Sequence, residues 1–168
     1  MFISGSDALK NPGQSYPLQA ETAISDLEVM GDPLSFENIV VKGEIIGAED
    51  SVNVIADITA VAHTRCSRCL GDMTLPVTAS VNENFVRTPD PEDPDQYELL
   101  GYQIDLDPLV KDALLLEIPI RFLCSEDCKG LCPVCGVNRN LVSCTCHEGV
   151  EKENPFSALK VMFNNEEV

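Results

Sequence analysis

A chain of 168 residues with 28 acidic against 11 basic side chains carries a formal charge of -17. Such a surface repels a phosphate backbone beyond contact range and favours basic partners, although screening over about 8–10 Å still allows a local positive patch. The length suits one domain with a small appendage, large enough for a core that depends on neither metal nor disulfides.

No run approaches the ~18 apolar residues of a membrane-spanning helix, and the start MFISGSDALKNPGQ lacks a basic n-region and an apolar h-region. The expectation is a cytoplasmic protein with no membrane partner. In a reducing compartment eight cysteines point to metal ligation or redox chemistry before a disulfide framework.

In chain order, residues 1–20 are rich in Gly, Pro and Ser and read as an irregular arm that packs through Phe2, Ile3 and Leu9. Residues 24–29 and 36–46 suggest strands separated by the GDP at 31–33. The clearest periodicity follows: Val52, Val54, Ala56, Ile58, Ala60 and Ala62 alternate with polar residues, with Ile55 and Val61 as exceptions. That period of two predicts a strand with one buried face. A second such run covers Met73, Leu75, Val77, Ala79 and Val81, where Pro76 places the strand at an edge or a bulge. Between the two lies RCSRCLGD, which puts Cys66 and Cys69 in the turn at one end of the sheet. An antiparallel sheet within residues 21–87 is therefore expected.

TPDPEDPDQYE, at 88–98, reads as an acidic linker. DLDPLVKDALLLEIP then predicts a helix, with Asp107 as cap, Pro108 in the first turn and an apolar stripe of Leu109, Val110, Ala113, Leu114 and Leu116 ending before Pro119. IRFLC suggests a short strand. NPFSALKVMF predicts a C-terminal helix with Phe156, Leu159 and Phe163 inward, packed on the domain of residues 99–163, before an acidic tail at 164–168. No internal repeat stands out. The fold class is α+β: an antiparallel sheet, one or two packed helices and a C-terminal cysteine-rich zinc-binding loop.

The loop reads CKGLCPVCGVNRNLVSCTC. A two-residue gap between cysteines lets both sulfurs face one ion, and Gly136 after Cys135 permits the left-handed backbone such a knuckle favours. Zn²⁺ is the expected cofactor, with Cys132, Cys135, Cys144 and Cys146 as the first set. Cys124 and Cys128 would then meet Cys66 and Cys69 in a second. A pairing of Cys66/Cys69 with Cys132/Cys135 around one ion fits the spacing too, as do an iron–sulfur cluster and a dithiol redox pair. His63 and His147 read as surface residues, and HExxH, G-x-S-x-G and Walker phosphate-loop motifs are absent. A closed structural site and no enzymatic activity are expected. Arg65, Arg68, Lys129 and Arg139 flank the cysteines and form a candidate contact for RNA or a partner.

The ordered set CSRCL, DPLVKDALLLEIP, LCSEDCKGLCPVCGVNRNLVSCTC and NPFSALK resembles the YceD-like family, the large ribosomal RNA subunit accumulation proteins of bacteria and plant plastids, over residues 20–163. The resemblance carries onto Cys66, Arg68, Cys69 and Leu70, and onto Gly130, Leu131, Cys132, Pro133, Cys135, Gly136, Asn138 and Asn140. Arg139, between the two asparagines, departs from the Leu of many members. The resemblance implies a non-enzymatic factor for synthesis, processing or accumulation of large-subunit ribosomal RNA. On that reading the acidic surface holds a basic ribosomal protein or a pre-ribosomal particle and has no small-molecule substrate; an RNA-binding zinc module and a thiol-dependent redox protein are the alternatives.

Overall fold

The computed structural model describes residues 1–29, 31–93 and 96–146. They form two compact units: residues 1–67 with 71–124, and residues 68–70 with the chain from 125 onward.

The first unit is built on three long antiparallel strands, β4 (Asp32–Gly47), β5 (Ser51–Arg65) and β6 (Asp72–Val86). Their alternation is what the sequence dictates. Val52, Val54 and Ile58 are fully buried on the inner side of β5, and Val77, Ala79 and Phe85 continue that side across β6. β2 (Ser15–Thr22) extends the sheet beyond β4, and β3 (Leu27–Val29) pairs with the first residues of β4. On the other side β7 (Tyr97–Leu100) joins β6 in parallel at Phe85 and Val86, followed by β8 (Gln103–Asp105) and β1 (Phe2–Ser4). The spatial order is β1-β8-β7-β6-β5-β4-β2.

The sheet is curled, and one glycine shows where the strands crowd. A Cβ on Gly43 of β4 would sit 2.0 Å from the Ile55 carbonyl oxygen of β5, so no other residue fits without moving backbone. Two helices lie against the sheet, α1 (Ser6–Lys10) and α2 (Leu106–Glu117). α2 buries Leu106, Leu109, Val110, Ala113 and Leu114.

Several expectations change. Residues 1–20 are not an irregular arm: they supply β1, α1 and most of β2. In β2 the inward positions Tyr16, Leu18 and Ala20 do alternate, and Leu18 is buried. Ile3 and Leu9 pack on the core as expected, whereas Phe2 is exposed. Strands continue past residue 87 through β7 and β8, so the acidic segment ends before Tyr97. The helix cap is Asp105, whose carboxylate accepts from the Asp107 amide at 3.2 Å. The reason is burial: Leu106 is fully buried, so the first turn starts there and Pro108 falls third, still among the amides that need no helical acceptor. Leu116 leaves the apolar stripe and is 85% exposed. IRFLC forms no strand; its backbone is used locally, with Ser67 N–H donating to the Phe122 carbonyl at 2.8 Å and the Phe122 N–H donating to Ser67 Oγ at 3.3 Å. Pro76 does sit on an edge, since among the described residues β6 is paired on one side only before Phe85. The expected C-terminal helix and acidic tail lie outside the described residues.

Asp105→Ala should cost about 1–2 kcal/mol in urea unfolding, because it leaves a first-turn amide without its acceptor. Leu116→Ala should stay within about 0.5 kcal/mol, as expected for a side chain that packs on nothing. A larger loss for Leu116→Ala than for Asp105→Ala would contradict the assignment of the cap and of the exposed face.

Candidate metal centre

The CxxC turns are two copies of one local structure. In the first, the residue before Cys66, Arg65, pairs with Asp72, and the Cys66 N–H donates to the Gly71 carbonyl at 2.9 Å. In the second, the residue before Cys132, Leu131, bridges Asn138, and the Cys132 N–H donates to the Val137 carbonyl at 2.8 Å. Both closures span the same number of residues. The position after the second cysteine is left-handed in each, Leu70 at φ 56° and Gly136 at φ 72°. Gly136 matches the expectation; Leu70 shows that the geometry is enforced even where a side chain makes it costly.

Such a turn aims amides at its first sulfur. The backbone N–H groups of Cys135 and Val134 donate to the Cys132 sulfur, and they lower that thiol to about 6. Hydrogen bonds to the anionic form stabilise it. Cys144 is pushed upward first by its hydrogen bond with Cys132, and Cys146 is pushed up to about 12, first by its hydrogen bond with Cys135. One thiolate in the set thus makes its neighbours hold their protons.

Within the second unit Cys132, Cys135, Cys144 and Cys146 form one group, their sulfurs within 4.8 Å of one another. Of the other four, Cys66 and Cys124 belong to the first unit and Cys69 and Cys128 to the second. A tetrahedral zinc site with bonds of ~2.3 Å needs sulfurs ~3.8 Å apart, so side-chain adjustment of about an ångström closes the shell. Two unit charges ~4 Å apart repel by about 4 kcal/mol at an effective dielectric constant near 20, which four adjacent thiolates cannot sustain without a cation. Donor chemistry and spacing therefore fit a divalent soft-ligand ion.

Hydrogen bonds frame that unit. The Lys129 N–H donates to Asn140 Oδ1 at 2.8 Å, and the Arg139 N–H to the Gly130 carbonyl at 2.9 Å. Asn140 Nδ2 donates to Asn138 Oδ1 at 3.0 Å and to the Cys128 sulfur at 3.3 Å. Arg68 Nη1 donates to the carbonyls of Glu126 and Cys128 at 3.0 and 3.1 Å, and the Leu131 N–H returns to the Arg68 carbonyl at 3.0 Å. Gly130 makes this possible: at φ 69° it passes so close that a Cβ would lie 2.9 Å from the Arg68 oxygen. The roles of Asn138, Asn140 and Gly130 as braces were not apparent from charge or spacing.

The four basic candidates have different surroundings. Arg68 braces backbone, Arg65 forms an ion pair with Asp72 at 3.7 Å, and the Lys129 and Arg139 side chains are exposed. His63 is half-buried with Nε2 3.1 Å from Glu37 Oε2, beside a cavity of about 590 Å³ whose lining includes Arg65 and Asp72 but no cysteine. His147 lies outside the described residues.

An α+β sheet protein carrying duplicated cysteine knuckles able to chelate a metal is the class these features define. The chain belongs to the YceD family: residues 54–163 match the profile of the large ribosomal RNA subunit accumulation protein YceD. YlbN of Bacillus subtilis is 31% identical over 136 residues, covering 79% of each chain. A Mycobacterium tuberculosis protein is 32% identical over 93 residues, covering 52% of this chain and 45% of its own length. A chloroplastic large ribosomal RNA subunit accumulation protein, YCED homolog 1 of Zea mays, is 44% identical over 45 residues, 26% of this chain and 15% of the maize protein. No solved structure matches the chain. The family is non-enzymatic, and membership implies a role in large-subunit ribosomal RNA and ribosome biogenesis.

Leu70→Gly should change stability by no more than about 1 kcal/mol in either direction, because relief of the left-handed strain offsets the added freedom of the unfolded chain and little burial is lost at an exposed side chain. Gly136→Val, with open space around it but the same backbone demand, should destabilise the loop by about 1–2 kcal/mol. Amide exchange at residues 66–71 reads the first variant and at residues 132–137 the second; loss of protection as large for Leu70→Gly as for Gly136→Val would contradict the shared knuckle geometry.

Proposed function

We propose that this chain is a zinc-braced, acidic adaptor that acts in a reducing cytoplasm and holds a basic ribosomal protein, or a pre-ribosomal particle presenting one, while large-subunit ribosomal RNA accumulates. The charge of -17 carries this reading. In a family tied to ribosomal RNA, a surface that repels phosphate acts most directly through the cationic proteins that RNA binds. Zn²⁺ is assigned to Cys132, Cys135, Cys144 and Cys146, and a second ion to Cys66, Cys69, Cys124 and Cys128. Bound zinc supplies charge compensation and a fixed tetrahedral centre, and the thiolate-only donor set leaves no position for water activation. The exposed side chains of Lys129 and Arg139 favour a secondary reading, direct RNA contact by the loop.

Protein purified without added metal should contain zinc by elemental analysis, and Cys135→Ser should remove one ion per chain and the ordering of the loop. Metal-free, reduced wild type with a fully protected loop would overturn the zinc assignment.

Affinity capture at low salt should recover large-subunit particles, with yield falling steeply as salt rises, and deletion should lower the ratio of large- to small-subunit RNA. An unchanged ratio together with no captured particle would remove the adaptor function. Retention of purified RNA that Lys129→Ala and Arg139→Ala together abolish would favour the secondary reading.

A further inference from the structure

The outer side of β6 is an unfinished sheet edge. Among the described residues β7 takes up only Phe85 and Val86 there, and residues 72–84 pair with β5 alone. An open edge presents backbone donors and acceptors, a ready template for another strand. Pro76 blunts the first half of this edge, but residues 77–84 contain no proline. Beside that second half lies α2, and the two border a groove that includes Ser80, Val81, Glu83, Asp112, Leu116 and Glu117.

The chemistry of the groove selects its occupant. Its charged side chains are the carboxylates of Glu83, Asp112 and Glu117, all exposed, and neither Lys nor Arg lines it. Asp112 also accepts a hydrogen bond from the Tyr97 hydroxyl at 3.2 Å, which fixes its place on the helix side. Leu116, 85% exposed, offers an apolar ledge for the stem of a long side chain. A phosphate backbone is repelled here. A second copy of the chain pairing through the same edge would bring like carboxylates together.

We propose that this groove takes an extended, Lys- and Arg-rich segment of a protein partner, which adds to β6 as a further strand along residues 79–83. Backbone hydrogen bonds supply the register, and alternate basic side chains reach Glu83, Asp112 and Glu117. The proposal rests on the adaptor reading and names the surface through which it works.

The probe is a short capped peptide of alternating arginine and threonine, measured by fluorescence anisotropy at low salt with amide exchange in parallel. Wild type should bind it, with exchange slowed at residues 79–83. The variant E83K/D112K/E117K, altered only at exposed positions and checked for an unchanged melting curve, should bind at least about tenfold more weakly. The same peptide with alternate N-methylated amides should lose affinity to a similar degree, since it keeps its charge but not its strand pairing. Equal binding by the triple variant, equal binding of the N-methylated peptide, or protection confined to other residues would overturn the site. Absence of binding by wild type would do the same. Particle capture separates the two ideas: a triple variant that retains large-subunit particles like wild type leaves the adaptor standing without this groove, whereas wild type that captures none removes the adaptor itself.

Discussion

Crowding of sulfur atoms is the constraint on which the thiol-rich unit depends. Every residue of the buried apolar cluster comes from the first unit, and none from 68–70 or 125–146. Among the described residues of the second unit, burial falls on Cys69, Cys128, Gly130 and Cys132, too few to make a hydrophobic core. What remains is a backbone drawn tight by the Arg68, Asn138 and Asn140 hydrogen bonds around sulfurs too close to ionise together. A divalent cation converts that repulsion into attraction, and binding energy of that kind is folding energy for the segment it organises.

The first unit has the opposite economy. Its long β4–β5–β6 ladder buries branched side chains on one face and closes the other with polar ones. Gly43 lets two backbones approach where the sheet curls, and the stacked rings of Phe85 and Tyr97, with centroids 5.2 Å apart, tie β7 to the end of β6. None of this requires a metal. Thermal unfolding of the sheet therefore reports on a set of interactions separate from those of the Cys132, Cys135, Cys144 and Cys146 group.

Much of this was legible in the sequence where one period dominated. β5 and β6 follow their alternation closely, and the CxxC turn between them is where the spacing placed it. Elsewhere competing signals hid the answer. In β2 the alternation of Tyr16, Leu18 and Ala20 was present but broken by Pro17, so the segment looked irregular. The choice between Asp105 and Asp107 as cap turned on the burial of Leu106, a tertiary fact that the local motif cannot report. Both Cys-x-x-Cys pairs read as knuckles, but their shared backbone geometry is masked in the sequence because the left-handed position is Gly136 in one copy and Leu70 in the other. Its signal was the shared Cys-x-x-Cys followed by an equal return to the pairing residue.

The few positive charges leave the acidity of the chain largely uncompensated. Of the basic side chains, Arg65 lies near Asp72, Arg87 near Asp50 and over the Tyr102 ring, and Arg68 faces carbonyls. These cations are used within the chain, where exposed pairs add little stability. Carboxylates outnumber them more than two to one, and a solvent-exposed excess of one sign is felt over about a Debye length. A polyanion approaching such a surface meets repulsion before it can find Lys129 or Arg139. A cationic polypeptide is drawn in from the same distance.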